Sequence, residues 1–273
     1  MVNLVVVLGP SVAAVYYAFT DWTGFGHANF IGFQNFRDLL HDADFLAALR
    51  HNVFWTGAFL TVPLAMGLLG AVLLSQITRF QLFFRIAYFI PFVMASVVTG
   101  AVWENILSPG DGLGAQLARF GIPWLEDVAF FGNVRLALPS VAFVGNWAWW
   151  GFLVVLFLSA MQSVDKELYE SARVDGANRW DEFRHITIPG ILPTLMFVVL
   201  ISVIFSFLVF DYVFIITQGG PAGSTEMAAT LMYKNAFALE EAGYAAAMGM
   251  SLALVSAVVM GIFLYLRKRG WKI

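Results

Sequence analysis

Long apolar runs, each bounded by polar or charged residues, dominate the hydrophobic pattern of this chain of 273 residues. The runs are apolar on every side of a helix rather than along one stripe, which is typical of membrane spans and not of soluble bundles. A helix needs about 20 apolar residues to cross the hydrocarbon core, and a backbone in lipid must form its hydrogen bonds within its own helix. The pattern predicts six membrane helices, Met1–Thr20, Val53–Ile77, Ile86–Trp103, Leu136–Met161, Ile191–Ile216 and Tyr244–Leu266.

Composition agrees with this pattern, because 60% of the residues are hydrophobic and only 12% are charged. Soluble domains carry roughly a quarter charged residues. No linker or low-complexity segment divides the chain, so we expect residues 1–273 to form one all-α membrane domain with about six transmembrane helices. The first run lacks the basic start of a signal peptide, and we expect it to be retained as a helix.

Basic residues are shared unequally between the two sides of the predicted membrane domain. With both termini inside, ten Lys and Arg residues face the cytoplasm and five face outward, which satisfies the positive-inside rule. The inner residues are Arg79, Arg85, Lys166, Arg173, Arg179, Arg184, Arg267, Lys268, Arg269 and Lys272, and the outer ones are Arg37, Arg50, Arg119, Arg135 and Lys234. We therefore expect a multi-pass protein of the cell membrane with both termini in the cytoplasm.

Sequence patterns of catalysis and metal binding are missing. The chain has no cysteine, and neither G-x-S-x-G nor H-E-x-x-H occurs in it. The phosphate-binding pattern G-x-x-x-x-G-K-[ST] of ATPases is also absent. The sequence therefore predicts neither a catalytic nor a metal site, and we expect no nucleic-acid partner.

The segment from about residue 162 to 189, between spans four and five, has the densest charge in the chain. Asp165 is suited to cap the start of a helix, and Gly176 is suited to the left-handed conformation that ends one. Asn178 then caps a second short helix, which Pro189 should stop. The pattern predicts a helix, a turn at Gly176 and a second helix at the membrane surface.

The spacing inside this segment resembles the cytoplasmic motif of permease subunits of binding-protein-dependent ATP-binding-cassette (ABC) importers. That motif is Glu-Ala-Ala, three residues, Gly, nine residues and Ile-x-Leu-Pro. Here Glu170-Ser171-Ala172 is followed by Gly176 and by Ile186-Thr187-Ile188-Pro189 at the same spacing. Ser171 replaces Ala and Ile188 replaces Leu, and both are small changes in volume.

Other segments are similar to the carbohydrate-uptake branch of that family, of the maltose or glycerol-3-phosphate type. They are Pro10–Trp22, Ile31–Phe36, Glu167–Ala177, Asp211–Tyr212 and Thr217–Pro221. The resemblance implies a permease domain that forms the path for sugars or oligosaccharides through a prokaryotic inner membrane. Glycerol phosphate or another polyol is the alternative solute.

The resemblance also implies partners. These are a second homologous permease subunit, two ATPase subunits, an extracytoplasmic solute-binding protein and membrane lipid. ATP and Mg would be bound by the ATPases, so this chain would hold no cofactor and catalyse no reaction. The predicted loop would couple to an ATPase through a turn, small side chains and charges, namely Glu170, Ala172, Arg173, Asp175, Gly176, Ala177 and Arg184.

Polar and aromatic residues inside the predicted spans are candidates for the solute path. Asp211 is costly at that depth unless it is paired or hydrated. It either accepts hydrogen bonds from sugar hydroxyls or makes a structural contact with a neighbouring helix or with the partner permease. Asn146 and Trp147 suit contacts with sugar rings. Trp is also common at membrane interfaces, and for this part of the fourth span we favour that interpretation. An ion-coupled secondary transporter is a further alternative, but a proton relay needs more ionisable groups than Asp211 alone.

Overall fold

The regular structure in the computed structural model, which describes residues 4–77 and 79–268, is helical. One isolated β-bridge joins Thr20 to Phe30. Leu4–Leu8 and Phe183–Thr187 are π-helical, and Pro123–Leu125 is a 3₁₀ turn. The α-helices are α1 (Gly9–Tyr17), α2 (Gln34–His41), α3 (Ala43–Ser75), α4 (Gln81–Val93), α5 (Ser96–Ile106), α6 (Leu113–Arg119), α7 (Ala137–Gln162), α8 (Lys166–Val174), α9 (Arg179–Glu182), α10 (Ile188–Gly190), α11 (Leu192–Phe207), α12 (Asp211–Ile216), α13 (Ala228–Phe237) and α14 (Ala242–Lys268).

In residues 4–77 and 79–268, four helical stretches are long and apolar enough to cross a membrane. They are Ala43–Ser75, Ala137–Gln162, Leu192–Ile216 and Ala242–Tyr265. Helices α4 and α5 form a pair bent by 97°, which would be a fifth span. The all-helical membrane fold is thus confirmed with four to five candidate spans in the described residues, and the predicted number of six is not reached there.

Two predicted spans account for this difference. The first, Met1–Thr20, lies partly outside the described residues, and its described part holds the short apolar helix Val6–Tyr17. At 1.5 Å per residue, that helix is shorter than a hydrocarbon core of about 30 Å. The second, Ile86–Trp103, is not one straight helix, because the backbone is extended at Met94 and Ala95. Pro91 lacks an N–H and so removes a hydrogen bond from the last turn of α4.

Helix α7 is the centre of the bundle, and 67% of its most apolar stretch is buried. Helix α3 packs along it with Trp55 fully buried, and Leu153 and Phe157 of α7 are fully buried as well. A Cβ added to Gly67 of α3 would lie only 2.6 Å from the Cβ of Leu153. Small residues at a crossing allow such close approach of membrane helices, so α3 and α7 form the scaffold for the rest of the chain.

A second apolar cluster, which includes Phe45 and Met248, closes the end of the bundle at which α3 and α14 begin. Near it, the buried side chain of Asn52 links three helices. Its amide donates to the Ser206 carbonyl at 2.8 Å, and its Oδ1 accepts from the Ala228 N–H at 3.0 Å. Because both ends of the amide are hydrogen-bonded, its burial is not penalised. The α8–α9 segment lies at the opposite end of α3.

Candidate functional site

The segment from α8 to α10, which we call the coupling loop, begins and ends its first helix with local caps. The Asp165 carboxylate accepts a hydrogen bond from the Glu167 N–H at 3.0 Å. At the other end Gly176 has φ +86°, and the Ala177 N–H donates to the Ala172 carbonyl at 2.9 Å. A left-handed glycine of this kind is the usual way to end a helix. Both predicted caps are therefore confirmed.

The second helix of the coupling loop begins at a capping box. Asn178 Oδ1 accepts from the N–H groups of Trp180 and Asp181, and Asp181 Oδ2 accepts from the Asn178 N–H at 3.1 Å. The prediction that this helix stops at Pro189 is wrong. The chain passes through a π-helical stretch in which the Ile188 N–H donates to the carbonyl of residue 183, and it continues through α10.

An ion pair joins the two helices across the turn. Arg173 Nε lies 2.6 Å from Glu182 Oε1, and the side chains are 64% and 13% exposed. The hydrogen bond between them is the main cause that raises the pKa of Arg173 and lowers the pKa of Glu182. The pair bridges the turn, because its two residues lie on either side of Gly176.

Polar contacts attach the coupling loop to the bundle. The Arg179 guanidinium donates to Gln76 Oε1, at the end of α3, at 2.9 Å. The hydroxyls of Tyr169 and Thr187 hydrogen-bond at 3.0 Å and join the first helix to the π-helical stretch. Sequence analysis missed these contacts and the partner of Arg173. Their partners are distant in sequence or lie beyond the turn, whereas the charge, the caps and the motif spacing mark the segment but not its contacts.

The outer surface of the coupling loop is open. A Cβ added to Gly176 would meet no atom of a described residue within 4 Å. Val174 and Trp180, on either side of the turn, are 87% and 64% exposed. The structure brings the seven predicted coupling residues together on this one loop. Glu170, Arg173, Asp175, Gly176 and Arg184 are exposed, and Ala172 and Ala177 are partly exposed.

A cleft of about 280 Å³ lies among α3, α4, α7 and the break between α11 and α12. Of the described residues that line it, Asp211 alone is charged. Asp211 is exposed, and its Oδ2 lies 3.3 Å from Ser96 Oγ, which donates to it. Most of the remaining wall is aromatic, namely Trp55, Phe59, Phe92, Trp149, Phe205, Phe210 and Tyr212.

The other two candidates for the solute path lie on α7 but do not line this cleft. Asn146 is buried, and its Oδ1 has no hydrogen-bond partner among the described residues. Trp147 is partly exposed and packs edge-on against Trp103 with ring centroids 5.3 Å apart. The tryptophan of α7 that does reach the cleft is Trp149. In the described part of the chain, no group of three His, Cys, Asp or Glu side chains is placed to hold a metal ion.

Residues 64–272 match the family described as "Binding-protein-dependent transport system inner membrane component". A probable ABC transporter permease protein of Pyrococcus horikoshii is 31% identical over 258 residues, which cover 94% of this chain and 88% of the relative. The diacetylchitobiose uptake system permease protein of Streptomyces coelicolor is 35% identical over 281 residues, which cover 98% of this chain and 79% of the relative.

The fold is similar to that of a chain in the crystal structure of a bacterial ABC transporter involved in the import of the acidic polysaccharide alginate. The TM-score is 0.88 over 99% of this chain and 92% of that chain, at 24% sequence identity. Since the family match covers most of the sequence and a relative is 31% identical over 94% of it, this chain belongs to the inner-membrane permease components of binding-protein-dependent ABC transport systems.

Proposed function

We propose that this chain forms part of the translocation path of a sugar or oligosaccharide importer. The cleft beside Asp211 carries the proposal, because its walls are mainly aromatic and it contains one carboxylate. Aromatic faces pack against the apolar faces of sugar rings, and a carboxylate accepts hydrogen bonds from hydroxyls. Two relatives are named for diacetylchitobiose uptake and for arabinooligosaccharide transport, in Streptomyces coelicolor and Bacillus subtilis.

Glycerol phosphate suits the cleft less well than a neutral sugar does. A phosphate monoester carries a charge of about −1.5 to −2 at pH 7, and it would lie beside Asp211. The described lining residues include no Lys or Arg to balance either charge. Like charges in such a site repel each other by several kcal/mol, on the order of 4 at 4 Å in a medium of intermediate dielectric. A neutral sugar or polyol avoids this repulsion.

For the membrane arrangement, we propose six spans with both termini in the cytoplasm. Five come from the four long helices and the bent pair α4–α5. The sixth is the apolar run of Met1–Thr20, of which Val6–Tyr17 is the described apolar helix. The support for this orientation is the excess of Lys and Arg on one side, ten against five. In this proposed orientation, the coupling loop would lie in the cytoplasm of a prokaryotic cell.

We also propose that the coupling loop docks on one of two ATPase subunits. As a permease component, the chain is not itself the catalytic subunit and holds no cofactor; the ATPases would bind ATP and Mg. The docking surface would be the open turn at Gly176, with the exposed charges of Glu170, Arg173, Asp175 and Arg184 and the small side chains of Ala172 and Ala177. A second homologous permease would complete the path, and the solute-binding protein would deliver from the opposite face.

Replacing Asp211 by Asn tests the assignment of the cleft. The change keeps the size of the side chain and removes its charge. A hydrogen bond to a charged group is worth about 1.5–3 kcal/mol, so we expect uptake of the sugar retained by the binding protein to fall about tenfold or more. Assembly and basal ATP hydrolysis should persist. Asp111→Asn, on an exposed loop outside the cleft, is the matched control. Loss of the assembled complex in Asp211→Asn would instead assign Asp211 a structural role.

A further inference from the structure

A second cavity, of about 630 Å³, lies behind the coupling loop, between it and the ends of α3 and α7. We call it the basic cavity. It is separate from the Asp211 cleft, and of the seven proposed docking residues only Arg173 lines it. Lys166, Arg173 and Arg179 face it together with a single carboxylate, Glu182. The described lining of the cavity therefore carries an excess of positive charge.

The coupling loop has five other carboxylates outside the cavity lining, and one of them, Glu170, also attracts Arg173. Asp165 and Asp181 each accept a hydrogen bond from the backbone at the start of their own helix. Among the described residues, Glu167, Glu170 and Asp175 are also outside the cavity lining. The loop thus separates its charges, with most acids at helix starts or on the outer surface and three cations facing inward.

Several of the donors in and beside the basic cavity are unused. In the part of the chain that the structure describes, the Lys166 ammonium has no hydrogen bond or ion pair. Arg179 uses one N–H for Gln76. Behind the lining residue Gln162, Arg85 donates one N–H to Gln162 Oε1 at 3.2 Å, while its buried Nε has no partner within the described ranges. Cationic donors that converge in this way match the several acceptor oxygens of an oxyanion.

We propose that the basic cavity binds a phosphate monoester, supplied either by a soluble phosphorylated metabolite or by the headgroup of an anionic lipid. A phosphate monoester has three acceptor oxygens and a charge of about −1.5 to −2 at pH 7. It would accept hydrogen bonds from Lys166 and Arg179, and it would compete with Glu182 for Arg173. A carboxylate has one negative charge and would leave the excess of positive charge unbalanced.

Such a ligand would connect the coupling loop to the membrane helices. Arg179 is already held by Gln76 at the end of α3, and Lys166 opens α8. A phosphate between them would restrain α8 relative to α3. We expect slower transport when the cavity is occupied. This expectation rests on the proposed function of the coupling loop, whereas the binding itself does not.

Binding is measured first on the full-length chain in detergent, free of phospholipid, with inorganic phosphate and glucose 6-phosphate as probes in calorimetric titrations. Lys166→Gln and Arg179→Gln should each weaken binding about tenfold or more, because each removes a charge-assisted hydrogen bond. Lys166→Arg keeps the charge and should retain affinity. Arg79→Gln, which removes an exposed cation outside the cavity, is the matched control and should bind as the wild type does.

A second arm identifies the source of the phosphate. The same proteins are placed in phosphatidylcholine vesicles with or without phosphatidic acid, and the thermal unfolding midpoint is recorded. Stabilisation by phosphatidic acid that is lost in Lys166→Gln and Arg179→Gln assigns the cavity to lipid. Saturable binding of the soluble probes, without an effect of phosphatidic acid, assigns it to a metabolite.

The proposal is overturned if neither arm shows saturable binding, or if Arg79→Gln weakens binding as much as the cavity variants do. Neither measurement depends on transport. A wild-type complex that binds phosphate but imports no sugar would contradict the proposed function and leave this site standing. A complex that imports sugar but binds no phosphate would contradict the phosphate site and leave the proposed function standing.

Discussion

Gly176 is the position at which the proposed docking of the coupling loop is tested most sharply. Its φ of +86° lies in the left-handed region, which β-branched side chains rarely adopt. A Cβ at this position would meet none of the described atoms of the chain within 4 Å. A side chain placed there therefore strains the backbone but has no clash inside the permease itself.

The size of the effect follows from this geometry. Forcing a β-branched residue into such a conformation costs about 1–3 kcal/mol. If the loop must hold its native turn to dock, Gly176→Val should weaken association with the ATPase about five- to 150-fold. Asn is close to Val in size but tolerates the left-handed region. The pair of variants Gly176→Val and Gly176→Asn thus separates backbone strain from crowding at the partner surface.

The assays are sugar uptake, solute-stimulated ATP hydrolysis and co-purification of the ATPase with each variant. Gly176→Val should lose all three while its spans still insert, because nothing within the membrane has changed. Retained activity in Gly176→Asn would assign the loss of activity in Gly176→Val to backbone strain. If Gly176→Asn lost as much activity as Gly176→Val, a partner surface would have to pack against this turn. Wild-type transport by Gly176→Val would refute the role of the turn in coupling.

Further predictions concern topology, the ion pair and the core. The chain has no native cysteines, and Phe120 and Val174 are both more than 80% exposed. Phe120→Cys should react with an impermeant thiol reagent in intact cells, and Val174→Cys should not. The reverse pattern would invert the proposed topology. Arg173 lowers the pKa of Glu182 below its ordinary value of 4.5, so the ion pair stabilises the fold above that pH. The difference in unfolding midpoint between the wild type and Glu182→Gln should therefore be full above pH 4.5 and shrink as the pH falls below 4.5 through the lowered pKa. A difference independent of pH would contradict this. A Cβ at Gly151 would overlap a backbone carbonyl of α4. Gly151→Ala should therefore lower the yield of folded protein in size-exclusion chromatography. An unchanged yield would show that α4 can shift away from α7 at no cost to folding.

The features that sequence predicted best are those governed by neighbouring residues. Asp165 and Asn178 cap their helices, and Gly176 adopts the left-handed conformation, because each depends on hydrogen bonds within a few residues. The apolar runs were equally visible, since a span needs no partner to satisfy its backbone. Such local rules locate the coupling loop and most of the membrane helices.

Features that depend on distant residues were not predicted. The hydrogen bond from Ser96 to Asp211 joins residues 115 apart in sequence, and that from Arg179 to Gln76 joins residues 103 apart. The bend between α4 and α5 also depends on packing, since Pro91 weakens the helix but does not set an angle of 97°. Hydropathy gives the length of an apolar run, and it does not show whether the run is straight.

The continuity of the chain between the two candidate sites suggests how docking would act on the cleft. From Arg179 the chain is helical through α9, the π-helical stretch, α10 and α11, with one irregular residue at the buried Ile191. On the proposed docking, a nearly continuous helical path of this kind would carry a displacement of the coupling loop along its length. It ends at the break between Leu208 and Phe210, which directly precedes Asp211. Movement of the coupling loop would therefore be taken up at that break. It would shift Asp211, the one charged residue in the described cleft lining, relative to the aromatic walls of the cleft.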